Sequence, residues 1–324
     1  MLKTILKRIL QSIPTLLIVI TITFVLTRMI PGNPARTILG PQASAQDIAE
    51  MEIKLGLNKS KLEQYADYMI GILHGDFGTS YVYNRPVTSL IAERIPNTLL
   101  LAVVVIFLTW LVGVPLGVLA ALKWKSPLDR VLTVLTSIGM AIPSFFFAVL
   151  LLLFAVKTGW FPVGGLTSSN FAEMSFGEKF WDLAHHLVLP VTVLFTISLA
   201  GLQRQMRANL LDVLDSDYVK FAKAKGLSEF KVVYKHALRN AINPMITLLG
   251  FEFAGLLSGA ALTEYVFQYP GLGRLILEAV FFSDINLVMA SLMMGAIMLI
   301  AGNLIADILL ILTDPRIRVK GGAA

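Results

Sequence analysis

Six long runs of apolar residues constrain this chain more than any other feature of its sequence. A helix needs about 20 apolar residues to cross the hydrocarbon core of a bilayer. Only 15% of the residues are charged, whereas soluble domains contain about 25%. We therefore predict an all-α membrane protein with one domain over 1–320, and read 321–324 as a cloning remnant. The six predicted spans are 9–29, 97–122, 131–156, 187–203, 245–266 and 287–312.

Positive charges are distributed unevenly between the connections. Most of the 27 Lys and Arg residues lie at the two termini and in the connections 123–130 and 204–244. The short connections 157–186 and 267–286 carry few. Because short cytoplasmic loops are enriched in Lys and Arg, we expect both termini and the 204–244 loop to be cytoplasmic.

The segment 30–96 is expected to form a small folded cap on the external side. Ser44 is a candidate N-cap for a short helix that carries Ile48, Met51 and Leu55 on one face. A second helical pattern follows and ends at Gly75.

The 204–244 loop contains the most basic stretch, "DYVKFAKAKGLSEFKVVYKHALRNAINP". The pattern predicts one helix that ends at Gly226 and a second that starts with Ser228 as its N-cap. Apolar residues then repeat at intervals of three and four, which places them on one helical face. Three alternatives would bury this apolar face: it lies in the lipid headgroup layer, it packs under the chain's own spans, or it docks into a groove on another protein.

The same stretch resembles the EAA loop of ABC importer permeases. Its "AKAKGL" and "HALRNAINP" are similar to the version found in dipeptide, oligopeptide and nickel permeases. Further similar segments run along the chain: "RMIPGNPA", "GDFGTS", "PLGVLAAL", "AIPSFF", "EYVFQYPGLGRLILEAV" and "DPRIR". One segment departs from this branch, since "FFSDINLV" stands where R-D-Y-P is more usual.

The resemblance implies the type I fold of the methionine permease, with the external cap added. It implies an importer subunit of the bacterial cytoplasmic membrane that forms half of a pathway for di- or oligopeptides and works by alternating access. Glutathione, a nickel chelate or an oligosaccharide remain alternative substrates. The expected partners are a second related permease, two cytoplasmic ATPases and an extracytoplasmic substrate-binding protein.

By the same resemblance, the loop contains a coupling helix that docks on the ATPase. The expected docking residues are Lys220, Phe221, Ala222, Lys223, Ala224, Lys225, Gly226, Leu227 and Ser228. The residues expected to tie this helix to the fifth span are Phe230, Val233, Tyr234, Ala237 and Leu238.

Other chemistry is sparse. No stretch matches a P-loop, so we expect no enzyme activity in this chain, no bound cofactor, and ATP and magnesium on partner subunits. We also expect no metal site and no nucleic-acid partner. The ionisable or amide residues within spans, Glu252, Glu264, Asn303 and Asp307, are candidates for the pathway or a gate, or for hydrogen bonds between helices. An ion-driven transporter is the alternative class, but it would need more intramembrane ionisable groups and inverted repeats.

Overall fold

The computed structural model describes residues 2–29 and 33–313. In these residues the chain is helical without named strands, and one isolated bridge joins Thr79 to Pro86. The α-helices are α1 Leu2–Met29, α2 Pro34–Leu39, α3 Ala45–Lys54, α4 Lys61–Leu73, α5 Val87–Leu122, α6 Pro127–Ala141, α7 Ser144–Thr158, α8 Phe176–Leu214, α9 Asp217–Ala224, α10 Leu238–Ala241, α11 Asn243–Val266, α12 Leu272–Phe281 and α13 Ile285–Thr313. A 3₁₀ turn at Phe171–Glu173 precedes α8, and a π-helix at Lys231–Ala237 precedes α10.

Four helices in the described ranges, α1, α5, α8 and α13, are long and apolar enough to cross a membrane. The pair α6 and α7 makes up to five, but it is bent by 93° at its break. The predicted third span, 131–156, is therefore not one straight helix. The break falls at Ile142 and Pro143, where Ile142 adopts an extended conformation because a residue before Pro is driven out of the helical region. The predicted fifth span lies within the 24 residues of α11.

The centre of the bundle is the parallel pair α5 and α8. Gly113 and Gly117 lie on the α5 face that meets α8, and a Cβ at Gly117 would come within 2.6 Å of the Met206 Cβ. The absence of side chains at these glycines lets the two backbones approach closely, which is a general mode of helix packing in membranes.

A second close pair, α11 and α13, runs antiparallel beside the first. A Cβ at Gly250 would lie 2.7 Å from the Asn303 side-chain oxygen, and one at Gly302 would lie 2.5 Å from the Phe253 ring. Each helix thus uses a glycine to receive a larger side chain from the other.

The cap residues form short helices at the end of the bundle where α1 finishes; residues 30–32 lie outside the described ranges. The predicted N-cap is confirmed, since Ser44 accepts from the Asp47 amide within a capping box at the start of α3. Ser60 makes the same motif at α4. The cap packs on the bundle through Tyr65, whose ring meets Phe24 edge-on at 5.2 Å.

The loop between α4 and α5 is fastened to the turn between α12 and α13. Asp284 is fully buried and accepts hydrogen bonds from the Ser80 hydroxyl at 2.6 Å and the Val82 amide at 3.2 Å. Tyr83 donates to Glu278 at 2.6 Å, and burial raises the pKa of Tyr83 to about 12. Two segments singled out in the sequence, "GDFGTS" and "FFSDINLV", therefore meet in space.

Candidate functional site

The candidate site is the segment 215–242, which follows α8 at the end of the bundle opposite the cap. α9 ends at Ala224, and Gly226 has a φ of +75°. This left-handed conformation is unfavourable for residues with a Cβ, so the structure confirms the helix break predicted at Gly226. Val232 donates its amide to the Ser228 carbonyl at 3.0 Å, which starts the next helical stretch.

The second helical stretch differs from the regular α-helix expected from the sequence. Residues Lys231–Ala237 form a π-helix, in which the hydrogen bonds join residues five apart. The wider turn brings Val232 and Ala237 onto the same face, and both are fully buried. Val232 was missed by the α-helical pattern, which instead selected Phe230 and Tyr234; these side chains are exposed by 71% and 48%. Of the five predicted support residues, Val233 and Ala237 are buried and Leu238 is partly buried.

The buried face of the segment packs on α5 and α8 as well as on the start of α11, the predicted fifth span. One apolar cluster joins all these elements: Val118 and Ala121 of α5, Leu202, Met206 and Leu210 of α8, and Val219, Ala222, Val232, Val233, Ala237, Ala241 and Met245 from the segment and the start of α11. The segment is therefore close-packed on α5 and α8, and close-packed side chains transmit strain.

Ala222 belongs to this buried face. Its exposure is only 7%, and it contacts the chain's own core. Ala222 was expected to be a docking contact, but its side chain faces the interior here, so a substitution by a larger residue would act through the interior.

The opposite face of the segment is exposed and both apolar and basic. The Phe221 side chain is 61% exposed, and the Lys225 ammonium lies 4.6 Å from its ring centroid. The Phe230 and Tyr234 rings lie 4.6 Å apart. The remaining predicted docking residues are also exposed: Lys220, Lys223, Ala224, Gly226, Leu227 and Ser228. Such a surface, with aromatic side chains among cations, is suited to protein docking.

A buried ion pair joins α8 to α6 near this segment. Arg207 donates to Asp129 from Nε at 2.6 Å and from Nη2 at 2.8 Å. Asp129 is 3% exposed and also accepts from the Lys125 amide at 2.9 Å. One turn earlier on α8, Arg204 donates to Ser137 of α6 at 3.2 Å. These contacts fix α6, the first half of the bent pair, against α8.

Of the four polar candidates within spans, Glu252, Asp307 and Glu264 have a hydrogen-bond or ion-pair partner on a neighbouring helix. Trp110 donates to Glu252 at 2.9 Å. Asp307 forms an ion pair with Arg8 at 3.1 Å. Asn303 lies against Gly250 and, with Asp307, lines a cavity of about 270 Å³ between α1 and α13. The contacts of Glu252 and Asp307 agree with hydrogen bonding between helices, and Asn303 and Asp307 line one cavity in the described part of the chain.

Glu264 is fully buried at the cap end of α11. It accepts from the Thr98 hydroxyl at 3.1 Å and from the Arg274 amide at 2.9 Å. The Thr98 hydroxyl in turn accepts from the Leu272 amide at 2.7 Å. A Cβ at Gly271 would overlap the Glu264 carboxylate. The segment "PGLGRL" is thus wrapped around this carboxylate, which fastens α12 to α5 and α11.

Two family models match the chain. Residues 113–319 match the model described as "Binding-protein-dependent transport system inner membrane component", and residues 1–102 match its N-terminal counterpart. The chain belongs to this family of transporter permeases. The permease is accordingly an inner-membrane component of an ABC importer, a machine that also includes a substrate-binding protein and an ATPase.

Relatives along almost the whole length support the same assignment. The permease is 41% identical to the oligopeptide transport system permease protein AppB of Bacillus subtilis, over 97% of this chain and 98% of that protein. It is 36% identical to the dipeptide permease DppB of Alkalihalophilus pseudofirmus, over 96% and 98%. It is 39% identical to the glutathione permease GsiC of Salmonella choleraesuis, over 99% and 100%.

A solved structure confirms the expected fold. The permease is similar to a chain of the MetNI methionine ABC transporter in its inward-facing conformation, with a TM-score of 0.54. The match covers 69% of the permease and 96% of that chain, at 17% identity.

Proposed function

We propose that the permease forms half of the translocation pathway of an ATP-driven importer of di- or oligopeptides. The observation that carries this proposal is the two-faced segment 215–242, with its buried face packed on α5 and α8 and its other face exposed. The relatives named above transport oligopeptides, dipeptides and glutathione, which are all peptides. Glutathione therefore remains the nearest alternative substrate.

In this proposal the segment 215–242 is cytoplasmic and docks on the ATPase through its exposed face. Two ATPase subunits bind ATP and magnesium, and a second related permease completes the pathway. Closure of the ATPases displaces the segment, and the shared apolar cluster passes this movement to α5 and α8. Arg207 and Asp129 extend the movement to α6.

The docking surface can be tested with Phe221→Asp. An exposed aromatic anchor at an interface is worth about 2 kcal/mol or more, so we expect roughly thirtyfold weaker co-purification of the ATPase and a matching loss of transport. Phe176→Asp is the matched control, because Phe176 is also exposed but lies at the start of α8, at the other end of this helix. Equal ATPase retention in both variants would contradict the proposed docking face.

The orientation can be tested independently, because the sequence contains no cysteine. Single cysteines at Lys231 and Lys54, both exposed, should react differently with an impermeant thiol reagent added to intact cells. We expect labelling at position 54 only. Labelling at position 231 would place the segment 215–242 outside and remove the proposed ATPase contact.

The energy source and the substrate require reconstitution with the partner subunits. In proteoliposomes, peptide uptake should depend on ATP and should persist without a proton gradient. Uptake driven by the gradient alone would favour the ion-driven class. Mass spectrometry of the ligand held by the co-purified binding protein would separate longer peptides from glutathione, a nickel chelate or an oligosaccharide.

A further inference from the structure

A groove of about 350 Å³ lies between the last turns of α1 and the helix α4 of the cap. Apart from two cations and two hydroxyl groups, its lining is apolar. The lining residues are Thr21, Phe24, Val25, Arg28 and Met29 of α1 and Lys61, Leu62 and Tyr65 of α4. No carboxylate lines it among the described residues, so the groove carries a net positive charge.

Arg28 is the feature that most needs a ligand. Its Nε is buried and has no hydrogen-bond partner in the described part of the chain. The guanidinium lies over the Phe24 ring, 5.2 Å from the centroid. No carboxylate of residues 2–29 or 33–313 forms an ion pair with it. A buried polar group without a partner is costly, and a phosphate is a group that a guanidinium binds well.

The helix α4 packs on α1 and also exposes apolar side chains, as a helix in a membrane interface does. Tyr65 packs on Phe24, whereas Leu62 and Leu73 are each 81% exposed and Ile70 is 56% exposed. An apolar face beside the end of a membrane span is suited to the boundary between headgroups and acyl chains. The groove therefore lies at the end of the candidate span Arg8–Met29, at the depth expected for lipid headgroups.

We propose that this groove binds one anionic glycerophospholipid. Its phosphate contacts Arg28 and Lys61, and one acyl chain follows the apolar lining past Val25 and Leu62. The two cations select an anionic lipid over a zwitterionic one, and the bound lipid fixes the cap on α1. This site is separate from the segment 215–242 and does not depend on which substrate is transported.

The test measures lipid binding by the full-length permease purified in a neutral detergent. Native mass spectrometry counts bound phosphatidylglycerol or phosphatidylcholine, and thermal unfolding measures the stabilisation that each lipid gives. Because a basic residue near a lipid surface contributes about 1 kcal/mol, Arg28→Gln and Lys61→Gln should each weaken phosphatidylglycerol binding roughly fivefold. Lys54→Gln, which removes an exposed cation outside the groove, should leave it unchanged.

Soluble anions separate the lipid from its headgroup. Inorganic phosphate and glycerophosphoglycerol should stabilise the permease far less than the complete lipid, since they cannot fill the apolar groove. Equal stabilisation by inorganic phosphate would reduce the groove to an anion site and overturn the proposal. Equal binding of the two lipids would also overturn the proposal, and so would undiminished phosphatidylglycerol binding by Lys61→Gln. Because Lys61 is exposed, Lys61→Gln is expected to fold even if Arg28→Gln does not.

Discussion

The loss of stability on breaking a buried ion pair, Arg207–Asp129, can be compared with the loss on breaking an exposed one, Lys220–Asp215. We predict that Arg207→Ala destabilises the permease strongly, whereas Asp215→Ala, which breaks the Lys220–Asp215 pair, has no measurable effect. The two pairs have similar N–O distances, 2.6 Å and 2.8 Å. They differ in burial: the Asp129 side chain is 4% exposed and the Asp215 side chain 86%.

The expected magnitude follows from what Arg207→Ala leaves behind. Asp129 loses both hydrogen bonds from the guanidinium and keeps the one from the Lys125 amide. Removing one partner of a buried pair costs about 3–5 kcal/mol, because the other charge is left uncompensated. Since the Arg207 side chain is 26% exposed and water can enter, we expect about 3 kcal/mol. Removing both partners, in Arg207→Ala with Asp129→Ala, should cost less than Arg207→Ala alone.

The assay is thermal unfolding of the purified permease in detergent, followed for both single variants and the double variant. With about 2–4 °C per kcal/mol, Arg207→Ala should lower the midpoint by roughly 6–12 °C. In proteoliposomes with the partner subunits, Arg207→Ala should also reduce transport more than ATP hydrolysis, because α6 loses its ion pair with α8. A midpoint for Arg207→Ala equal to that for Asp215→Ala, or a less stable double variant, would refute the reasoning.

Two further predictions concern the cap end. Gly271→Ala should destabilise the permease by about 1–3 kcal/mol through overpacking, because the new Cβ must displace Glu264. Gly177→Ala is the control: Gly177 lies in α8 with no atom within 4 Å of a new Cβ, so this variant should not be destabilised. Equal melting midpoints for the two variants would contradict the prediction. Asp284→Ala should release the Ser80 loop from α13. We expect faster hydrogen exchange over residues 76–86 and little change in α8. Unchanged exchange over residues 76–86 would show that the loop is held by other contacts.

The sequence and the structure agree where a single local rule decides the outcome. Gly226 lies at a helix end because glycine adopts its left-handed φ without the strain that a Cβ brings. Ser44 caps α3 because its hydroxyl satisfies a free amide. Both could be read from a few neighbouring residues. The break at Pro143 could also have been anticipated, since proline commonly interrupts helices, but the 93° bend depends on how α6 and α7 pack on their neighbours.

The sequence was less informative where packing changes the helical period. A period of 3.6 selects Phe230 and Tyr234 for the buried face, but the π-helix exposes both and buries Val232 instead. Ala222 was expected in the docking surface because of its place in a motif, and it packs inward. Neither result follows from local propensity, because each depends on contacts with α5 and α8.

By itself, the sequence determined that this chain is a helical membrane protein and, through its motifs, that it resembles the peptide-type importer permeases. Apolar length, charge placement and glycine positions suffice for that, since the bilayer leaves few ways to satisfy a backbone. Only the tertiary structure decided which residues of the segment 215–242 face outward. It also decided that Glu264 fastens a turn and that Arg207 meets Asp129, because these contacts join residues distant in sequence whose encounter depends on the packing of whole helices.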